Sequence, residues 1–134
     1  MVTTHVRTEE LDERELQTLV EVILAVAYGD EKLGLAEQHV VRGYLARLGD
    51  DRLDEGQIEA LLVAASLELE RAGVDARLAA AAEVLGDDRT KKMVLRLACH
   101  AASADGLEPR EDAVLRKTAR AFGLDPALVD ALLE

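Results

Sequence analysis

Ala102-Ser103-Ala104-Asp105-Gly106-Leu107-Glu108-Pro109-Arg110-Glu111 continues through Asp112-Ala113-Val114-Leu115 to Phe122-Gly123-Leu124-Asp125, and it reads as a helix end, an acidic turn and a second helix. The same order occurs near the front. There Ala27-Tyr28-Gly29-Asp30-Glu31-Lys32-Leu33-Gly34-Leu35-Ala36-Glu37 runs into Val40-Val41 and ends at Leu48-Gly49. Glu37 to Gly49 and Glu111 to Gly123 have the same spacing. Two like-placed acidic turns in a helical chain imply duplicated architecture first and a cation site second.

Outward from these turns, apolar residues recur at helical spacing throughout, and no alternating strand pattern appears. The pattern predicts seven helices in one domain spanning residues 1–134, with the first eight residues frayed. Helix one is expected over Glu9–Tyr28 with Thr8 as its cap, burying Leu16, Leu19, Val20, Ile23 and Ala27. Helix two starts near Leu35, carries Val40, Val41, Tyr44, Leu45 and Leu48, and stops at Gly49. Asp54 caps helix three, whose face is Ile58, Leu61, Leu62, Ala65 and Leu69, and Gly73 breaks it. Helix four, from about Asp75 to Leu85, presents Leu78, Ala81, Ala82 and Leu85. Asp88 is the expected cap of helix five, which buries Met93, Val94, Leu97, Ala98 and Ala101. Pro109 suits the first turn of helix six, where its missing donor costs nothing, and that helix buries Val114, Leu115, Thr118, Ala119 and Phe122. Asp125-Pro126 should open a short last helix with Leu128, Val129, Leu132 and Leu133. The predicted class is therefore all-α, a single-domain bundle of about seven helices with an internal pseudo-repeat of acidic helix-turn-helix units.

Composition agrees with that class. Apolar residues make up 49% of the chain but aromatics only 2%, so the core must be built from Leu, Val and Ala. A formal charge of -11 argues against nucleic acid and anionic membranes as partners, since both demand clustered Lys and Arg. Cys99 is the single cysteine, which excludes an internal disulfide and fits a reducing cytosol. Met1–Asp12 has no basic segment leading into an apolar one, so no secretory leader is expected. The most apolar run, Val22–Tyr28, is far short of the roughly 20 residues a membrane span needs. A cytoplasmic protein without membrane insertion is expected.

Ala104-Asp105-Gly106, the apolar Leu107, Pro109, Glu111, Ala113-Val114-Leu115 and Phe122-Gly123-Leu124 ahead of a short final helix resemble the TerB-like family. That family includes the tellurite-resistance protein TerB and the N-terminal domain of the DjlA co-chaperones, and the resemblance runs from about Glu9 to Leu133. It implies a helical bundle with an internal duplication and a divalent-metal role for Asp30, Glu37, Asp105 and Glu111, in metal or oxyanion stress of the tellurite type. One residue fewer separates Asp105 from Glu111 than is usual in the family, and Glu31 stands where its glycine falls. The co-chaperone role is not carried over.

Chemistry alone gives the acidic turns two readings. Ca²⁺, Mg²⁺, Mn²⁺ or Zn²⁺ could be held by an Asp at one helix end, a Glu on the next helix and open carbonyls between, with Glu31 and Glu108 as further oxygen donors. Asp-Gly is equally an ordinary helix end, and a Glu in a first turn is stabilised by the helix dipole by about 0.3–1 kcal/mol with no metal. His39 and His100 could join a transition-metal site, but a lone, partly buried histidine satisfied by a backbone carbonyl is the simpler expectation. Cys99 and His100, adjacent on a helix, diverge by about 100° and form no reactive pair, so Cys99 reads as a small apolar filler.

Nothing supports an enzyme. Ser66 and Ser103 lie outside any Gly-x-Ser-x-Gly turn, and there is no phosphate loop, His-Glu-x-x-His or paired-cysteine motif. The competing function is protein interaction, as an adaptor for a basic or amphipathic partner or as a homodimer. Val63 and Leu67 widen the apolar surface of helix three, and Val22, Leu24 and Val26 do so for helix one. The simpler expectation is that both helices are central and buried nearly all round. Otherwise Val63 and Leu67 mark a partner surface.

Overall fold

Leu19, Val20, Val22, Ile23, Leu24, Ala25 and Val26 are all buried, and a helix with apolar residues on every side must sit in the middle of its fold. The structure, a computed structural model, describes residues 12–28, 41–43, 45–46, 54–103 and 108–133. Its central helix is α1, Glu13–Tyr28, against which α3 (Glu55–Ala72), α4 (Val74–Leu85), α5 (Asp88–Ser103) and α6 (Pro109–Ala121) all pack. The short α7 (Leu128–Leu133) closes on α5 and α6. Helix α2 is described at residues 41–43 and 45–46, where Val41 and Leu45 join the core. These seven helices form one all-helical domain, and no strand occurs among the described residues. The second helix of the front hairpin and both bends lie largely outside the described residues, and with them the expected superposition of the two halves.

Helix starts follow side-chain chemistry, with three corrections. Helix α1 begins at Glu13 rather than Glu9, because Asp12 and Glu15 cap it reciprocally: Glu15 N donates to Asp12 Oδ1 at 2.8 Å and Asp12 N to Glu15 Oε1 at 3.0 Å. Thr8 lies outside the described residues. Asp87, not Asp88, caps α5, accepting from Thr90 N at 2.7 Å, and this bond holds its carboxyl below the usual carboxylate range. Asp54 caps α3 as expected, accepting from Gln57 N at 2.7 Å. Gly73, at φ 87, ends α3 and lets α4 start at once, a turn that an L side chain would strain. Pro109 sits in the first turn of α6. Pro126 does not begin α7: Leu128, Val129 and Asp130 make bonds to carbonyls three residues back, a tight lead-in that delays the α-helix to Leu128.

Electrostatics tie the helices together. Arg77 of α4 clamps the buried Glu21 of α1, with Nε donating to Oε1 at 2.5 Å and Nη2 to Oε2 at 3.2 Å. Arg77 also reaches Glu68 of α3 at 3.3 Å, and Glu68 is paired with Arg71 at 2.6 Å. The Arg71 bond holds the Glu68 carboxyl below its ordinary value. Arg116 of α6 bridges Asp112 at 3.0 Å and Asp130 at 2.6 Å, which fastens α7 to α6. Arg42 of α2 pairs with Glu59 of α3.

Candidate functional site

Of the four carboxylates implied as metal ligands, Asp30, Glu37 and Asp105 lie outside the described residues. Glu111 is placed, at the third position of α6, and its Oε1 accepts from Glu108 N at 3.0 Å. That is the capping role, with the carboxylate also sitting at the positive end of the helix dipole. The other half of the expected site would have drawn on open carbonyls at the end of α1. Arg110 serves there instead, donating from Nη2 to Ala27 O at 3.3 Å. The end of α1 and the start of α6 are thus side by side, and a guanidinium belonging to the chain meets the negative end of α1. No group of three or more His, Cys, Asp or Glu side chains among the described residues is placed to hold a metal ion.

His39 lies outside the described residues. His100 is exposed, which overturns its expected burial against a backbone carbonyl: helix α5 turns its Leu95–Cys99 face inward and leaves position 100 outside. Cys99 is fully buried, as an apolar filler would be. Burial, reinforced by the charge of Asp112, pushes its thiol up to about 11. A thiol so protonated and so enclosed should be inert in the folded protein. Reaction with Ellman's reagent is therefore expected to be negligible under native conditions and complete in denaturant. Rapid native labelling would contradict this placement of α5.

Expectation and structure part most clearly on the two apolar helices. Helix α1 is buried nearly all round, with Val22, Leu24 and Val26 each 1% exposed. Helix α3 is not. Val63 is 49% and Leu67 60% exposed, the exposed large hydrophobics among the described residues. Ile58, Leu62 and Ala65 face the core, so α3 is a lateral helix with one side on α1 and α4 and the other outward. Gly56, Ala60, Val63 and Leu67 lie at intervals of four, three and four residues on that outer side, the spacing of a helix-pairing seam. Glu59 and Glu70 edge it on one side and Arg71 on the other.

Sequence reasoning missed the Glu21–Arg77 pair. Glu21 was nonetheless conspicuous, as the one charged residue between Leu19 and Tyr28. No family model matches the chain, and no curated protein or solved structure matches it either. No helix among the described residues is long and apolar enough to cross a membrane.

Proposed function

We propose that this is a non-enzymatic, TerB-like helical domain of the cytoplasm that acts as an adaptor, with the outer side of α3 receiving an amphipathic basic helix of a partner protein. The observation that carries this reading is the exposure of Val63 and Leu67 on a seam of helix-pairing spacing. Large apolar side chains exposed side by side are stabilised by a partner that covers them. Charge favours a basic partner over a second copy. Of the charges bordering the seam, Glu59 is already matched by Arg42 and Glu70 stands across from Arg71, so the preference comes from the whole chain: two chains of net charge -11 repel each other on approach, whereas a basic partner is drawn in. The order of the helices and the capped start of α6 support the TerB-like reading. The engagement of Glu111 and of the Ala27 carbonyl within the chain favours adaptor over cation carrier.

Because Leu67 is exposed, Leu67→Glu is expected to change stability by less than about 0.5 kcal/mol. The same substitution should weaken binding of a labelled Lys/Leu amphipathic helical peptide by about tenfold or more, read by fluorescence anisotropy. A chain that light scattering shows as a dimer, and that Leu67→Glu converts to a monomer, would replace the basic partner with a second copy. Melting curves in Ca²⁺, Mg²⁺, Mn²⁺ or Zn²⁺ against EDTA, at constant ionic strength, test the cation role of Asp30, Glu37, Asp105 and Glu111. A bound cation at a hundredfold excess over Kd would add about 2.7 kcal/mol. A gain of that size abolished by Glu111→Gln would overturn the adaptor reading.

A further inference from the structure

Helix α5 carries a surface at odds with the rest of the chain. Beyond its first residue its exposed positions are Arg89, Lys92, Arg96, His100 and Ser103, at intervals of three, four, four and three residues, which places them in one stripe. The chain has 27 acidic residues against 16 basic ones, yet none of the acidic residues falls between Asp88 and Asp105. The packed side of the helix, with Val94, Leu95, Leu97, Ala98 and Ala102, faces inward. Lys92 and Arg96 make no ion pair among the described residues.

This stripe works against the stability of its own helix. Arg89 and Lys91 lie close enough to the capping carboxylate of Asp87 to be offset by it, so the uncompensated part of the stripe is its middle. Lys92 and Arg96, four residues apart, repel, as a like-charged pair at that spacing does. The spacing of Lys92 and Arg96 therefore has no return within the helix, and an opposite charge brought by a partner would relieve their repulsion.

We propose that the outward face of α5 is a docking surface for an acidic helical segment of a partner protein. Carboxylates spaced three or four residues apart on such a segment would meet Arg89, Lys92, Arg96 and His100 in register. A short acidic helix fits better than a nucleic acid or a lipid surface. Those extended polyanions would confront the net charge of -11 beyond the stripe, whereas a single helix needs only the stripe itself, and screening confines its interaction to about 10 Å at moderate salt. The surface is separate from the α3 seam in position and opposite in charge preference, so the two proposals fail independently.

The test uses the full chain and a fluorescein-labelled synthetic helix with glutamate at every fourth position, followed by anisotropy at about 0.1 M ionic strength, where the Debye length is about 10 Å. Lys92→Glu with Arg96→Glu should weaken binding by about tenfold or more. That variant exchanges one like-charged pair for another, so Lys92→Gln with Arg96→Gln, which removes the repulsion, accompanies it and should also weaken binding while melting no lower than the parent. Lys117→Glu with Arg120→Glu, an equal charge change on α6, and Leu67→Glu on α3 should each leave the affinity within about twofold of the parent. Equal loss in the α6 variant, or no loss in the α5 variant, would overturn the proposal. So would tighter binding of a single-stranded oligonucleotide or of phosphatidylserine vesicles than of the peptide.

Discussion

Arg77→Ala is expected to lower stability by about 3–5 kcal/mol, because it leaves the Glu21 carboxylate buried among α1 residues without its counter-charge. The Glu21 side chain is 5% exposed and Arg77 23%, so water cannot take over the lost bonds to Glu21. The pair is better viewed as a constraint on how α4 lies against α1 than as a source of net stability. Replacing both members by apolar residues of similar volume, Glu21→Leu with Arg77→Met, should recover most of the loss or exceed the parent. Urea denaturation followed by circular dichroism measures both. A single substitution costing less than about 1 kcal/mol, the range of a solvated surface pair, would contradict the burial of Glu21.

Phe122→Ala should cost about 3–5 kcal/mol and Phe122→Leu much less. Phe122 is the only phenylalanine of the chain and is 2% exposed, at the point where α6 gives way to the turn leading to α7. Where Leu, Val and Ala fill most of the core, no other buried side chain is large enough to move into the vacated space. Stabilities of whole domains run to only about 5–15 kcal/mol, so the alanine variant should unfold well below the parent's midpoint in the same urea titration. A midpoint near that of the parent would mean that Phe122 is not enclosed as described.

Much of the architecture could be read before the structure because local signals and tertiary packing agree. Asp54 before α3, Gly73 after it and Pro109 in the first turn of α6 each act through their own backbone or capping chemistry, and each lies where expected. The errors have equally local causes. Thr8 and Asp12 are both competent caps, and the reciprocal bond to Glu15, three residues after Asp12, selects the second. Asp87 and Asp88 are adjacent carboxylates, each with a backbone N–H three residues on, but that of Lys91 already donates to the Asp87 carbonyl, whereas that of Thr90 is taken by the Asp87 side chain. Periodicity identifies an apolar face but not how many neighbours a helix has. For that reason Val22 and Leu24 on α1 and Val63 and Leu67 on α3 looked alike, though one helix is central and the other lateral. Partners distant in sequence were out of reach of any periodicity. Glu21 announced itself as a charge within an apolar run, but nothing local could point to Arg77.

For the site, the legible part was residue type and the illegible part was use. Glu111 has the chemistry of a ligand and of a cap, and only its bond to Glu108 N assigns it to capping. Asp30, Glu37 and Asp105 lie outside the described residues, so their part in the cation reading rests on residue type, spacing and the resemblance.

The most direct measurement is an NMR titration of the uniformly ¹⁵N-labelled chain, first with the Lys/Leu helical peptide and then with Ca²⁺, Mg²⁺, Mn²⁺ or Zn²⁺. The adaptor reading predicts that the peptide shifts amides along the outer side of α3, around Gly56, Ala60, Val63 and Leu67, and that the cations leave the start of α6 unmoved. Silence along α3, together with saturable cation shifts or broadening at Glu108–Asp112, would contradict it.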